Sequence, residues 1–436
     1  MYAPNLFKKC QRPFQRIKYN LNGHRFNGHI EVQFVHIPAS NEDHQMYKIR
    51  TYNALAAKGL DRFTSDNYQV GPDISSADAL MLRSQKLHDE VIDESVVAVA
   101  RAGAGVNNIP VEEYAKRGIV VFNTPGANAN AVKELVAAAL LLGSRDIFGG
   151  MNYVQSLGEI NDSAEMHKIL EQKKKHFAGS EITGMTLGVV GLGAIGALVA
   201  NMALELGMKV AGYDPAISVE SAWRMSSRVQ KVDSLEALVK ISDFVTLHVP
   251  AIPQTLGLIN ADILARCKQG VRLLNFARDE IVDLPSVVAA LDSGQVAAYI
   301  SDFPHPELLG RKDAILLPHI GASTREAEEN CAIMAADQLK DFLVDGNICN
   351  SVNFPDTSMA RNGGYRITFC NENVPKVLGT VLSVLADHNI NVIDMVNLSR
   401  GDFAYSIIDI EAPDEGVMSS INNAEGVIRA RLLRPA

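Results

Sequence analysis

Short apolar runs alternate with helix-like segments along most of the chain that follows residue 46. The runs are rich in Val, Ile and Leu and bounded by turn residues, which is typical of buried strands. Strands that alternate with helices indicate a parallel sheet covered on both faces. The predicted strands are residues 47–53, 79–82, 96–100, 119–122, 244–249, 271–276, 297–300 and 315–317. Helices are predicted over residues 111–117, 129–142 and 323–343.

The pattern changes near residue 356. Residues 356–364 are polar and end in Gly363 and Gly364, a composition typical of a linker. The predicted order beyond them is strand, helix, strand, strand, helix, strand, which is the βαββαβ order of ferredoxin-like domains. These elements are residues 365–370, 375–388, 392–398, 403–410, 415–423 and 427–433.

A glycine motif carries the strongest functional signal. An apolar run enters Gly191-x-Gly193-x-x-Gly196, a helix-forming segment follows, and the next apolar run ends in Asp214. In this strand–turn–helix–strand context the motif predicts a dinucleotide site, with the pyrophosphate at the helix start. An acid at the end of the second strand binds ribose hydroxyls and repels a 2′-phosphate, which favours NAD over NADP. The alternative is a glycine-rich turn in another α/β unit.

Composition excludes several classes of function. The net charge of −9 argues against non-specific binding to nucleic acid or to anionic membranes. No apolar run reaches membrane-spanning length. The five cysteines are scattered and form no CxxC or Cys/His ligand spacing, so we expect free thiols, no metal site and a cytoplasmic location.

Residues 1–45 differ from the rest of the chain. They contain six Lys or Arg and only three acids, and Met46 directly precedes a predicted strand. A targeting peptide is one interpretation, since such segments are basic and poor in acids. A disordered extension, or a start codon assigned too early, is preferred because neither serine richness nor an amphipathic helix is apparent. A chain that begins at Met46 is therefore predicted to be as active and stable as the full chain.

Three polar residues follow predicted strands at the end of the sheet where ligands bind. They are Arg278, Glu307 and His319. A guanidinium can hold a carboxylate, a histidine can exchange a proton near neutral pH, and a carboxylate can orient the histidine. Singly, each residue is more often structural. Together with an NAD site they indicate hydride transfer on a 2-hydroxy or 2-keto acid.

On these residues the chain resembles the D-2-hydroxyacid dehydrogenase family from about residue 46 to its C-terminus. The matching motifs are RAGAGV from Arg101, NTPGAN from Asn123, the glycine motif through Asp214, LHVP from Leu247, LNFAR from Leu274 and PHIGAS from Pro318. The resemblance implies a catalytic triad of Arg278, Glu307 and His319. It also implies that Asp302 binds the nicotinamide carboxamide. Asp279 stands where the family usually has a glycine.

The resemblance also implies further ligand contacts. Around the cofactor they are Ala194, Ile195, His248, Pro250, Ala277 and Gly321. The substrate carboxylate is expected at the amides of Gly103, Ala104 and Gly105, with Asn128 also on the substrate. Arg83 and Ser84 resemble a phosphate site, to which Lys174 and Lys175 could add contacts from across the cleft or from a partner chain.

A phosphate site points to the branch of the family that oxidises 3-phospho-D-glycerate to 3-phosphohydroxypyruvate, the first step of L-serine synthesis. Two alternatives stay open. One is another D-2-hydroxyacid dehydrogenase acting on lactate or on glyoxylate and hydroxypyruvate. The other is a non-catalytic NAD-sensing protein of the same fold.

The C-terminal unit resembles an ACT domain, a small module that binds amino acids. The resemblance implies an effector site for L-serine or another amino acid near Asn371, Asn373 and Asn391. Asn371 stands where serine-inhibited relatives have a histidine. Lys376 replaces a glycine, and its side chain would crowd a backbone that lies close to a ligand. Weak or absent inhibition by serine is predicted.

The predicted architecture is a Rossmann-type domain inserted in a flavodoxin-like substrate domain, followed by the ferredoxin-like unit. The Rossmann domain covers residues 128–321, and the substrate domain covers residues 46–127 and 322–355. The linker is residues 356–364 and the ACT-like domain is residues 365–436. A homo-oligomer, dimer or tetramer, is expected.

Overall fold

The structure, a computed structural model, describes residues 46–435. The predictions for residues 1–45, including the effect of removing them, lie outside the described residues. The described chain contains two parallel sheets and one antiparallel sheet, which confirms the predicted fold class. No helix among residues 46–435 combines the length and the apolar character that crossing a bilayer requires.

The first sheet has five parallel strands in the order β2-β1-β3-β4-β5, the flavodoxin-like order. Its strands are β1 (Tyr47–Thr51), β2 (Tyr68–Gly71), β3 (Ala79–Leu82), β4 (Ala98–Arg101) and β5 (Val120–Phe122), with helices α1 (Ala57–Leu60) and α2 (Val111–Lys116). Strand β3 is buried along its whole length because helices cover both faces of the sheet. The edge strand β2 was not predicted, since its four residues form no continuous apolar run.

Along the chain, three helices follow the last strand of the first sheet and precede the first strand of the second sheet. They are α3 (Ala129–Ser144), α4 (Ile147–Gln155) and α5 (Ser163–Lys173), followed by a 3-10 turn at Lys174–Phe177. Helix α3 packs through Val132, Val136 and Leu140 into the core of the second sheet. Helices α4 and α5 contain no buried residue. They form a helical arm, residues 147–177, that adds nothing to either core.

The second sheet has seven strands in the order β12-β11-β10-β9-β6-β7-β8. Its strands are β6 (Thr186–Val190), β7 (Lys209–Tyr213), β8 (Gln230–Lys231), β9 (Phe244–Leu247), β10 (Val271–Asn275), β11 (Val296–Ser301) and β12 (Ala314–Leu316). Its helices are α6 (Ala194–Glu205), α7 (Val219–Arg224), α8 (Leu235–Ile241), α9 (Ala261–Leu264) and α10 (Leu284–Asp292). The strand order reverses between β6 and β9, and a crevice for a ligand opens at such a reversal.

The chain returns to the first sheet through α11 (Arg325–Asp345). The Thr324 side chain caps this helix at the Ala327 N–H, and Gly346 ends it with a left-handed φ of 70°. Ala332, Ala335 and Leu339 are buried in the core of the first sheet. The two parts of the chain that flank the second sheet therefore share one core.

The C-terminal sheet has four antiparallel strands in the order β14-β15-β13-β16. The elements are β13 (Tyr365–Glu372), α12 (Val377–Asp387), β14 (Val392–Arg400), β15 (Phe403–Ile410), α13 (Val417–Asn422) and β16 (Val427–Leu433). The predicted βαββαβ order is confirmed, and β15 and β16 have the predicted bounds.

The C-terminal sheet is docked on the first sheet. Helices α12 and α13 cover one face, whereas Cys370, Tyr405 and Ile407 on the other face belong to the core of the first sheet. Arg429 on β16 donates hydrogen bonds to the carbonyls of Glu94 and Val96, which lead into β4. The antiparallel sheet is therefore held by buried contacts and not by the linker alone.

Candidate active site

The glycine turn between β6 and α6 uses its three glycines for three different reasons. Gly191 has φ of 88°, and a Cβ there would lie 2.6 Å from the His248 carbonyl oxygen. A Cβ on Gly196 would lie 1.9 Å from the Gly191 oxygen, so the helix can approach the turn only without a side chain. A Cβ on Gly193 would meet no heavy atom of the described chain within 4 Å. The open space at Gly193 is where a ligand can approach the backbone.

Helix α6 begins beside that open space. Gly193 is its N-cap and supplies no side-chain hydrogen bond, so the first N–H groups of the helix remain available to an anion. Ala194 is exposed and Ile195 is half-buried in the first turn. The turn and the helix start therefore fit the pyrophosphate of a dinucleotide.

Asp214 lies at the carboxyl end of β7, beside the turn. One carboxylate oxygen accepts the Leu192 N–H at 2.8 Å, and the other accepts the Ala216 N–H at 2.9 Å. Each oxygen has a further lone pair, so the carboxylate can still accept hydrogen bonds from a ribose. The two backbone contacts fix its orientation.

His248 follows β9 at the reversal of strand order. Its Nε2 lies 2.9 Å from the Thr246 hydroxyl, whereas Nδ1 is buried without a partner among the described residues. Burial lowers the pKa of His248 to about 3, so the ring is neutral at physiological pH. Pro250, two residues on, is exposed. The unpaired Nδ1 is a polar atom that a bound ligand could satisfy.

Asn275 shapes the turn that carries Arg278. It is fully buried at the end of β10, its side-chain oxygen accepts the Ala277 N–H at 3.1 Å, and its amide nitrogen donates to the Arg278 oxygen at 2.9 Å. Arg278 Nη1 donates to the Ala277 oxygen at 2.6 Å. The sequence analysis missed Asn275, although an amide at the last position of an apolar strand was a usable signal.

Asp302 anchors the loop that presents His319. Asp302 is 3% exposed, and its carboxylate oxygens accept the N–H groups of Ile320 at 2.8 Å and Gly321 at 2.7 Å. His319 itself adopts a left-handed φ of 57°, a conformation uncommon for residues other than glycine. The imidazole is exposed and packs edge-on against Phe303 at 4.9 Å between ring centroids.

Glu307 is not joined to His319 in this structure. It lies exposed in the 3-10 turn Pro306–Leu308. Within residues 46–435 it makes no hydrogen bond or ion pair. Of the predicted triad, Arg278 follows β10 and His319 follows β12, two parallel strands separated by β11, and the Glu307 contact stays a prediction.

A second arginine lies beside the predicted carboxylate loop, and the sequence analysis did not include it among the site residues. Arg101 ends β4, and its Nη1 donates to the Gly105 carbonyl. Cβ atoms on Gly103 and Gly105 would lie 3.1 and 3.2 Å from Arg101 Nη1, and the latter also 3.3 Å from Arg278 Nη2. Burial, and then the Arg278 charge, lower the pKa of Arg101. Two guanidinium groups therefore flank one glycine loop.

Arg83 lies next to this pair and already has an acidic partner. Its carbonyl oxygen accepts the Arg101 Nε at 2.9 Å. Its guanidinium Nη1 lies 2.8 Å from Glu328 Oε1, with both side chains about two-fifths exposed. The Ser84 N–H is bound by Asn53 Oδ1 at 3.0 Å, which fixes the start of the loop.

The remaining predicted substrate residues are distributed differently. Asn128 precedes α3, and its side-chain oxygen is buried without a partner in the described chain. The Ala104 oxygen accepts Asn123 Nδ2 at 2.6 Å. Lys174 and Lys175 lie in the exposed 3-10 turn of the helical arm, where Lys174 pairs with Glu171. Within one chain the structure does not bring these lysines into contact with Arg83.

The predicted effector residues do not form one site within a chain. The register pairs Asn371 with Ala404 at one end of β15, whereas Val392, next to Asn391, pairs with Ile410 at the other end. Six residues of strand separate these levels, roughly 20 Å at 3.4 Å per residue. Asn373 Nδ2 donates to the Gly401 oxygen, near the Asn371 end. Lys376 has a left-handed φ of 80°, the conformation in which a glycine is easiest to accommodate.

Comparison with known proteins agrees with this geometry. Residues 150–321 match the profile of the D-isomer specific 2-hydroxyacid dehydrogenase NAD binding domain. D-3-phosphoglycerate dehydrogenase of Escherichia coli K12 is 34% identical over 386 residues, which cover 84% of this chain and 90% of the relative. D-3-phosphoglycerate dehydrogenase 2 of Saccharomyces cerevisiae is 29% identical over 439 residues, covering 91% of this chain and 89% of that protein.

Solved structures show the same fold. The NAD+-bound 3-phosphoglycerate dehydrogenase of Entamoeba histolytica superposes with a TM-score of 0.55 at 26% identity, covering 71% of this chain and 99% of that one. The matched range, residues 150–321, contains the glycine turn, Asp214 and all seven strands of the second sheet. This chain is therefore a member of the D-isomer specific 2-hydroxyacid dehydrogenase family, with that family's NAD binding domain.

Proposed function

We propose that the protein is a cytoplasmic, NAD-dependent dehydrogenase that oxidises 3-phospho-D-glycerate to 3-phosphohydroxypyruvate in L-serine synthesis. The observation that carries the substrate assignment is the pair of guanidinium groups, of Arg101 and Arg278, at one glycine loop, with the backbone of Arg83 bound to Arg101. This substrate has a carboxylate and a phosphate, together about −3 at neutral pH. The guanidinium groups of Arg101 and Arg278, together with that of Arg83 once it parts from Glu328, would match that charge. The phosphoglycerate dehydrogenases among the relatives support the same substrate.

The chain's own residues supply the acid–base chemistry. His319 takes the proton from the C2 hydroxyl, and the Asp302 anchor holds its loop in position. Arg278 binds the carboxylate and polarises the oxygen on C2, in the orientation that Asn275 gives its turn. Glu307 would stabilise the protonated histidine once the two side chains meet. NAD, when bound at the glycine turn, supplies the acceptor for the C2 hydrogen and its electron pair.

In this proposal the two parallel sheets bind different ligands. The seven-stranded sheet, within residues 128–321, holds the cofactor. The five-stranded sheet with α11, within residues 46–127 and 322–355, holds the substrate. Ala104 and Gly105 would give backbone N–H groups to the carboxylate, whereas the predicted Gly103 N–H already donates to the Arg101 oxygen at 2.9 Å. Arg83 and Ser84 would bind the phosphate, with Asn128 facing the cofactor side of the substrate.

A side-by-side assay tests the substrate. NADH oxidation is measured with phosphohydroxypyruvate, hydroxypyruvate, glyoxylate and pyruvate at matched concentrations. The proposal predicts the highest kcat/KM with phosphohydroxypyruvate. A preference for pyruvate or glyoxylate would indicate another D-2-hydroxyacid dehydrogenase. No turnover with any of the four, despite NAD binding, would favour an NAD-sensing role.

The helical arm supports an oligomer. Helices α4 and α5 bury no residue, and Phe148, Met151 and Val154 are exposed along one segment of α4. Apolar side chains grouped in this way are typical of protein interfaces. We expect a second copy of the chain to cover them. Met151→Glu should then shift the protein to a smaller species in analytical ultracentrifugation, and an unchanged mass would exclude this surface as the interface.

Regulation by serine is proposed to be weak. The C-terminal sheet has the ACT-like element order, but Asn371 and Asn391 lie at opposite ends of it, so an effector site would need two copies. Lys376 adds a cation at the start of α12, where its left-handed conformation would favour glycine. L-serine titrated into the phosphohydroxypyruvate assay should give little inhibition. Strong inhibition at micromolar serine would contradict this.

A further inference from the structure

Glu328 lies where the phosphate of the proposed substrate would bind. The residue is in the first turn of α11, and its Oε1 is 2.8 Å from Arg83 Nη1. Within the described chain this is the one side-chain partner of the Arg83 guanidinium. The same arginine is the predicted phosphate ligand, so a carboxylate of the protein already binds the group that the substrate needs.

The contact is weak enough to be displaced. Arg83 and Glu328 are 40% and 41% exposed, and exposed ion pairs contribute little because water and salt screen them. The contact given for the pair joins Nη1 to Glu328 Oε1, and no pair of parallel hydrogen bonds fills the planar fork of Arg83 within the described chain. A phosphate can approach the other N–H groups.

The charges around Arg83 indicate that Glu328 competes with a substrate phosphate and does not help to bind it. Arg101 binds backbone carbonyls, through Nε and Nη1, and Arg278 binds the Ala277 carbonyl through Nη1. Neither has an acidic partner among residues 46–435, whereas Arg83 does. A phosphate that joins Glu328 on one guanidinium places a dianion beside a carboxylate, and like charges at that distance repel.

We infer that Glu328 is a specificity-determining residue that competes with the substrate phosphate for Arg83. Resting on the proposed function, this means that the pair must open for a phosphorylated substrate and can stay closed for one that lacks phosphate. Glu328 therefore sets the affinity for phosphorylated substrates below the value that the three arginines alone would give.

The neighbouring Glu329 provides a matched control. It lies on the same helix turn, carries the same charge, and pairs with Lys58 at 2.6 Å and not with Arg83. Glu328→Gln and Glu329→Gln each remove one negative charge from the start of α11. Only the first releases Arg83.

The test is the KM of phosphohydroxypyruvate divided by the KM of hydroxypyruvate, for wild type and both variants. Glu328→Gln should lower this ratio about two- to fivefold, the range expected for an exposed ion pair. Glu329→Gln should not change it. The difference should shrink at high salt, because salt screens exposed charges. An unchanged or higher ratio in Glu328→Gln would overturn the inference, the higher ratio indicating that Glu328 orients Arg83 for binding.

Inorganic phosphate gives a second readout that does not use the phosphorylated substrate. It should inhibit hydroxypyruvate reduction competitively, with a lower inhibition constant in Glu328→Gln and in Glu328→Ala. If wild type prefers phosphohydroxypyruvate but neither variant changes the phosphate inhibition, the inference fails and the proposed function stands. If wild type shows neither that preference nor phosphate inhibition, both fail.

Discussion

The cofactor end of the seven-stranded sheet and the substrate end of the five-stranded sheet are built in different ways. At the glycine turn a bound dinucleotide would meet backbone, since the space beside Gly193 is open. Around the Gly103–Gly105 loop the proposed substrate would meet long cationic side chains as well as backbone, and these side chains already bind carbonyl groups or, for Arg83, a carboxylate.

The two regions differ in how far protein groups must move before a ligand binds. Backbone N–H groups at the start of α6 need not move to bind a pyrophosphate. Arg83, in the inference above, would have to leave Glu328 before it binds a phosphate. We therefore expect cofactor binding to tolerate few changes of shape, and substrate binding to respond to changes of charge.

The largest effect is expected at His319. His319→Ala removes the proposed base and should lower kcat by roughly 10²–10⁴-fold. NAD binding should be unchanged, because the imidazole is exposed and belongs to neither the glycine turn nor the start of α6. Turnover is measured to follow catalysis, and fluorescence titration measures the affinity for NAD. Together they distinguish an effect on the catalytic residues from an effect on the cofactor site. A large loss of NAD affinity would show that the catalytic residues and the cofactor site are not independent.

Two glycine variants test the separate roles of Gly193 and Gly196 in the cofactor site. Gly196→Ala places a Cβ against the Gly191 oxygen, and overpacking of this kind costs roughly 1–3 kcal/mol of unfolding free energy. Gly193→Ala has room in the protein, so its stability should match wild type while its NAD affinity falls. Urea unfolding and NAD titration of both variants check this. Equal losses of stability would refute the assignment of separate roles.

Cofactor choice depends on Asp214. Its carboxylate is held beside the glycine turn, where it would face the ribose of a bound dinucleotide, so kcat/KM should be higher with NAD than with NADP by about ten- to a hundredfold, the worth of one charged contact. Asp214→Ser should reduce the difference in kcat/KM between NAD and NADP. Equal use of NADP by wild type would remove Asp214 from the site.

The smallest effect concerns acid stability at His248. A histidine whose folded pKa is lowered contributes stability above its unfolded pKa of 6.5, and that contribution is lost as pH falls towards about 3. When the pH falls from 7.5 to 5.5, the free energy of unfolding of wild type should decrease by about 1 kcal/mol more than that of His248→Gln. Urea unfolding at both pH values measures it. The exposed His167→Gln is the control and should behave as wild type.

Local patterns predicted the cofactor side well. The order of Gly191, Gly193, Gly196 and Asp214 lies within one βαβ unit, where sequence neighbours are also spatial neighbours. The C-terminal βαββαβ order was read in the same way, because each element has its own periodicity.

Contacts between distant segments could not be read from the sequence. Arg83 and Glu328 meet only because α11 returns to the first sheet after the whole seven-stranded unit. The docking of Arg429 against Glu94 likewise joins residues far apart in the chain. Arg101 was visible within a motif, but its place between two glycines and beside Arg278 depends on the packing of the two sheets.

The most direct test of the proposed substrate is the response of Arg83→Ala to the presence of a phosphate. The quantity measured is kcat/KM for phosphohydroxypyruvate divided by kcat/KM for hydroxypyruvate. Loss of a charged contact should lower this ratio by about ten- to a hundredfold. A ratio equal to that of wild type would contradict the assignment of Arg83 as the residue that selects the phosphorylated substrate.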